Sequence, residues 1–137
     1  MERFFQKENR TNYLFDNSDL PAMVNYLAVT SLIHDNDHLA KNHYLYRDSD
    51  GDGEWHFLPW DKDLTFGRNY TVSGLVLNDE IWADIDPYGH PLYGDRNHRK
   101  VDNVWNIIID AFYESPRLQE MVMRRLRTVM DDQLQSP

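Results

Sequence analysis

The feature that most restricts the fold is a change of hydrophobic period near residue 42. Upstream of it Leu20, Val24, Leu27, Ala28, Ser31 and Leu32 recur at helical spacing, which predicts a helix over 20–33. Asn17, Ser18 and Asp19 offer N-caps for that helix, and Pro21 suits its first turn. Downstream the period falls to two in His43-Tyr44-Leu45-Tyr46-Arg47. It resumes in Trp55-His56-Phe57-Leu58 after the Asp48-Ser49-Asp50-Gly51-Asp52-Gly53 cluster. These are the two strands of a hairpin, with Asp50-Gly51 and Asp52-Gly53 expected to supply the positive backbone angles of its turn. A hairpin returns the chain to its point of entry. Asp37 and Asn42 before it are therefore expected to meet Asp61 and Asp63 after it.

The remaining segments are read more coarsely. Residues 1–16 carry scattered aromatics and predict a short helix or an extended lead-in. The stretch 68–102 has little period and much turn chemistry, with Tyr70, Trp82, Tyr88 and Tyr93 among Gly74, Pro87, Gly89, Pro91 and Gly94. It is expected to be irregular, and long irregular segments within a domain are often functional. Val104, Ile107, Ile108 and Ala111 predict a helix over 103–113. Ser115-Pro116 then opens a last helix running to 134 on Leu118, Val122, Leu126, Val129 and Met130. At 137 residues this is one α+β domain, spanning 1–137.

Composition narrows the chemistry. The net charge of −9 disfavours nucleic acid, whose phosphates it would repel, and favours metal cations or basic peptides. No apolar run is long enough to span a bilayer, and the start at Met1 lacks the apolar stretch of a secretion signal. There is no Cys, hence neither disulfide nor thiolate metal site. Asp outnumbers Glu seventeen to six, and seven of those Asp lie between residues 35 and 63 around the hairpin. Carboxylates gathered in this way suit Mg²⁺, which takes one or two of them and completes its shell with water and phosphate oxygens. Nucleotide-dependent phosphoryl transfer is the reaction class that needs such a set. In protein kinases a base Asp precedes a metal-binding Asn by five residues, and a second metal-binding Asp follows. Asp37, Asn42 and Asp61 stand in that order, the first two at that spacing.

Two stretches carry a family resemblance. Asp37-His38-Leu39-Ala40-Lys41-Asn42, and Phe57-Leu58-Pro59-Trp60-Asp61-Lys62-Asp63-Leu64-Thr65-Phe66-Gly67 beyond the hairpin, resemble the signature of the CotH (spore coat protein H) kinases. The resemblance implies an atypical protein-kinase-like fold, of which this chain would hold the larger, C-terminal lobe: a catalytic and metal-binding core over 20–67, the irregular segment 68–102 and closing helices over 103–134. It implies transfer of phosphate from ATP, with Mg²⁺ or alternatively Mn²⁺, to protein hydroxyls. Asp37 would be the base and Lys41 a phosphate contact. Asn42 and Asp61 would hold the metal against the triphosphate, with Asp63 as alternative or second ligand. The resemblance also implies a coat or surface protein as substrate, and a spore-coat, cell-surface or secreted location. No glycine-rich phosphate loop or nucleotide-binding Lys precedes Asp37, so an N-terminal lobe of the same protein is an expected partner. Asp35-Asn36 replaces the His-Arg that normally precedes the base, and Asp61-Lys62-Asp63 replaces Asp-Phe-Gly.

Plainer readings stand beside these. Asp48, Asp50 and Asp52 match the opening of a calcium-binding EF-hand loop, but its twelfth position is Pro59, so a hairpin turn is the better reading of that stretch and Ca²⁺ the lesser. His34, Asp35, His38 and His43 could belong to a His/Asp metal phosphohydrolase. They read more simply as members of a polar loop that cannot be core and of a strand. Trp60 reads as a core anchor. Arg124, Arg125 and Arg127 read as a solvated helix face. The rival to a kinase is a non-catalytic module that binds a divalent ion for stability or presents an interaction surface.

Overall fold

A computed structural model describes residues 9–35, 38, 41–66 and 106–135 with their side chains, and 68–70 and 76–79 by backbone alone. Among these residues the fold is α+β. Helices α1 (Arg10–Asn17) and α2 (Leu20–Leu32) precede strands β1 (His43–Arg47) and β2 (Trp55–Pro59). Strands β3 (Arg68–Tyr70) and β4 (Val76–Asp79) follow, then helices α3 (Ile107–Glu114) and α4 (Pro116–Gln133).

Helix α2 is the hub. Asp19 caps it by accepting from the Ala22 amide at 3.0 Å, and Pro21 occupies its first turn. Leu20, Met23, Val24, Leu27 and Ala28 are buried along it and pack mainly against α4, where Leu118 and Val122 are buried. Leu14 of α1, Phe57 of β2 and Ile109, Ala111 and Phe112 of α3 complete the core. Each closing helix has its own cap. Asn106 Oδ1 accepts from the Ile108 and Ile109 amides at 3.0 and 3.2 Å, so α3 begins at Ile107, later than the expected start at 103. Ser115 Oγ caps α4 at the Leu118 amide. Arg124, Arg125 and Arg127 of α4 are exposed, with Arg124 paired to Glu120 and Arg125 donating to Asn25.

The expected hairpin forms, in the register His43↔Pro59, Leu45↔Phe57 and Arg47↔Trp55. A lone two-stranded hairpin is marginal in water. This one is held to the helices by Phe57, which is buried and stacks on Tyr26 of α2 with centroids 4.9 Å apart. A second tie runs from the Asp19 amide to the Trp55 carbonyl at 3.1 Å. In the turn, Gly53 alone takes a positive φ, +74°. Gly51 serves a different need, because a Cβ there would collide with the Asp48 carboxylate. That carboxylate accepts from the amides of Asp50 and Gly51, and Asp52 accepts from the amide of Glu54. These two side chains thus cap their own turn, the behaviour of Asx turns.

Three further expectations need correction. The stretch from residue 68 is not wholly irregular, since β3 and β4 form an antiparallel ladder with an irregularity between Asn69 and Tyr70. Residues 80–105, which include Trp82, Tyr88 and Tyr93, lie outside the described residues. Trp60 is no core anchor. It is 60% exposed and lies edge-on to Tyr44 on the outer face of the hairpin, while Phe57 on the inner face reaches the core. The polar stretch after α2 is not wholly solvated either, because Asp35 and His38 are both buried.

Candidate active site at the hairpin neck

The two ends of the hairpin meet at a neck. The Trp60 amide donates to the Asn42 carbonyl at 3.1 Å, and the Asn42 side-chain amide donates to the Asp61 carbonyl at 3.3 Å. Asn42 and Asp61, nineteen residues apart, are thereby adjacent. Asp37 lies outside the described residues. Lys41 is exposed, and its carbonyl accepts from His43 Nδ1 at 3.0 Å.

Backbone strain gathers around this neck. Among the described residues the non-glycine positions with positive φ are His34 (49°), Asn42 (62°), Asp61 (52°) and Phe66 (55°). They fall where the chain leaves α2, enters β1, leaves β2 and leaves the following loop. Asn and Asp tolerate the left-handed region better than most residues, since their short polar side chains bond locally. For His and Phe that conformation must be over-determined by surrounding contacts, a pattern common at functional sites. The contact at Phe66 is visible: its amide donates to the Ile33 carbonyl at the end of α2 at 2.7 Å.

Within the loop after β2, side chains divide by direction. Asp61 and Asp63 are exposed, whereas Lys62 turns inward and Leu64 is buried. Lys62 Nζ lies 2.9 Å from Asp35 Oδ2, whose side chain is only 1% exposed. It also donates to the Tyr26 hydroxyl at 3.2 Å and sits over the Tyr26 ring. Burial, and then the Asp35 charge, push the Tyr26 phenol well above its usual range, so it remains protonated. Below it His43 meets Phe57 edge-on, with centroids 5.0 Å apart. Burial is the main cause holding the His43 imidazole below its ordinary value; the Lys62 charge adds to it and the Lys41 carbonyl opposes it. His38 is fully buried and its Nδ1 lies 2.7 Å from the Asp35 carbonyl, an acceptor, so Nδ1 carries the proton.

Sequence reasoning missed this inner set of Asp35, Lys62, Tyr26 and His38. The available signal was Lys62 itself, a cation between Asp61 and Asp63 and two residues before the apolar Leu64.

Among the described residues no three His, Cys, Asp or Glu side chains form a group able to hold a metal. Mg²⁺ asks for less, one or two carboxylates with the remaining positions filled by water and phosphate. The hard oxygens of Asn42, Asp61 and Asp63 fit that requirement in kind. A family model described as CotH kinase protein matches residues 2–137. The chain belongs to the CotH kinase family. No curated protein and no solved structure matches it. In this member of the CotH kinase family the neck makes Asn42 and Asp61 neighbours, two residues that follow the kinase order in sequence. Asp35 and Lys62 stand where the ordinary kinase signature has His and Phe. No helix among the described residues is long and apolar enough to cross a membrane.

Proposed function

We propose that this chain supplies the catalytic and metal-binding part of an Mg-ATP-dependent protein kinase, transferring phosphate to Ser or Thr hydroxyls of a protein substrate. The observation that carries the reading is the neck, which joins Asn42 to Asp61 within a CotH-family chain. In this reading 20–67 is the catalytic core of a larger, C-terminal lobe. An N-terminal lobe of the same protein completes the nucleotide site, and the acceptor is a coat or surface protein.

The roles are those that the kinase order and the family resemblance imply. Asp37 accepts the proton of the attacking hydroxyl. Asn42 and Asp61 offer oxygen ligands from opposite ends of the hairpin, and Asp63 offers a second carboxylate. Lys41, exposed beside Asn42, contacts the phosphates. Bound Mg²⁺ supplies neutralisation of the charge on the transferring phosphoryl oxygens.

The test uses the complete protein with labelled ATP and Mg²⁺. Label is expected on the protein itself or on a coat-type substrate, and Asp37→Ala is expected to abolish it while the circular dichroism spectrum is retained. Undiminished labelling by Asp37→Ala removes that residue from the role of base. Calorimetry addresses the reading as a whole. Divalent-ion binding without metal-dependent affinity for ATP would favour the non-catalytic module, in which the Asn42–Asp61 bond does no more than close the hairpin.

A further inference from the structure

We propose that the ion pair between buried Asp35 and half-buried Lys62 is a positioning device that sets the metal-binding loop, and that Lys62 raises the loop's affinity for a divalent cation although it is itself a cation. The inference rests on the reading of Asp61 and Asp63 as metal ligands. Lys62 lies directly between them in sequence, so fixing its side chain restrains the backbone of both neighbours.

The restraint is built from three contacts, one to the middle of α2 and two to the residues just beyond its end. Lys62 Nζ is held by Asp35 Oδ2 at 2.9 Å and by the Tyr26 hydroxyl at 3.2 Å. Phe66, at the far end of the loop, is tied to the Ile33 carbonyl at 2.7 Å, and Leu64 between them is 1% exposed. Asp35 also acts in the other direction. Its carbonyl accepts from the fully buried His38 ring at 2.7 Å. Asp35 and His38 flank Asp37 in the sequence. One buried residue thus anchors the metal loop through its side chain and one flank of the Asp37 segment through its backbone.

Electrostatics and positioning predict opposite signs, which makes the idea testable. If Lys62 acted only through its charge, its removal would strengthen cation binding, because a positive group beside two carboxylates repels a metal. If it acts by holding the loop, its removal weakens binding, as does loss of groups that orient metal ligands elsewhere.

The experiment measures Mn²⁺ affinity of the purified protein by electron paramagnetic resonance, with hydrogen exchange at the Lys62, Leu64 and Phe66 amides as a second readout. Lys62→Met is expected to weaken Mn²⁺ binding by roughly tenfold or more and to speed exchange at those amides. Lys62→Met removes the ammonium 2.9 Å from the buried Asp35 carboxylate, a change that by itself destabilises the fold. The double variant Asp35→Asn/Lys62→Met removes both charges and is expected to fold, with the same loss of Mn²⁺ affinity. Binding as tight as or tighter than wild type in a folded double variant overturns the proposal. Asp61→Asn is the control for the underlying reading. If it leaves Mn²⁺ affinity unchanged, the assignment of the ligands fails and the proposal with it. If it abolishes binding while the double variant retains it, the proposal alone fails.

Discussion

At the residue scale, Asn42 combines a conformational and a chemical requirement. Its φ of 62° favours Gly or Asn, and its side-chain amide bonds the Asp61 carbonyl. Asn42→Ala is therefore expected to cost about 1–2 kcal/mol in denaturant unfolding, from backbone strain and the lost bond together. Asn42→Gly is expected to cost less, because it keeps the backbone free. Both should lose divalent-ion affinity, since neither retains the side-chain oxygen, so the pair separates folding from ligation. His43 gives a pH signature. Its proton affinity is lower in the fold than in the unfolded chain, so the unfolded chain binds more protons over the interval between the two values. The stabilising contribution is complete above the ordinary value of 6.5 and is lost as the pH falls through the depressed one. Between pH 7.5 and pH 5.5, His43→Gln is expected to lose less stability than the wild type in urea titrations.

At the element scale, the hairpin depends on what it leans against. Phe57 connects β2 to α2 through the Tyr26 stack, and Phe57→Ala is expected to cost about 3–5 kcal/mol, read as a lower unfolding midpoint. Asn106 starts α3 through two amide bonds, so Asn106→Ala is expected to cost about 1 kcal/mol. The elements themselves were largely legible, because α2, the hairpin and α4 each carry a clear period with caps or turn residues at the boundary. The side chains that organise the loops were not. Polarity in Asp35 and His38 argued for solvent, whereas Lys62, arriving from beyond the hairpin, pairs with the buried Asp35 carboxylate and the Asp35 carbonyl accepts from His38. Trp60 misled for the converse reason. Its size suggested the core, but strand alternation puts it with Tyr44 on the outer face. Periodicity reports which face a residue occupies, whereas a charge pair joining distant segments leaves no period to read. The β3–β4 ladder escaped notice because its strands are too short to establish alternation.

At the scale of the whole molecule, Asn42–Asp61 adjacency was legible because it follows from hairpin topology alone, and family membership followed from the same stretch of sequence. The helices contribute by fixing the end of α2, where the chain leaves towards Asn42 and where the loop after β2 is tied through the Phe66–Ile33 bond. Asp37→Ala belongs to this scale too, since loss of labelling with retained fold is expected only if a complete kinase assembles around the neck. The turn at the far end of the hairpin has another consequence. It is closed by its own carboxylates, through the Asp48 and Asp52 caps and the Gly53 amide bond to the Asp48 carbonyl. Its shape is therefore decoupled from the neck, and the exposed Ser49 tip is a natural insertion point. A short epitope or fluorophore-bearing loop placed there would report on the protein in its native surroundings while leaving the neck's chemistry untouched.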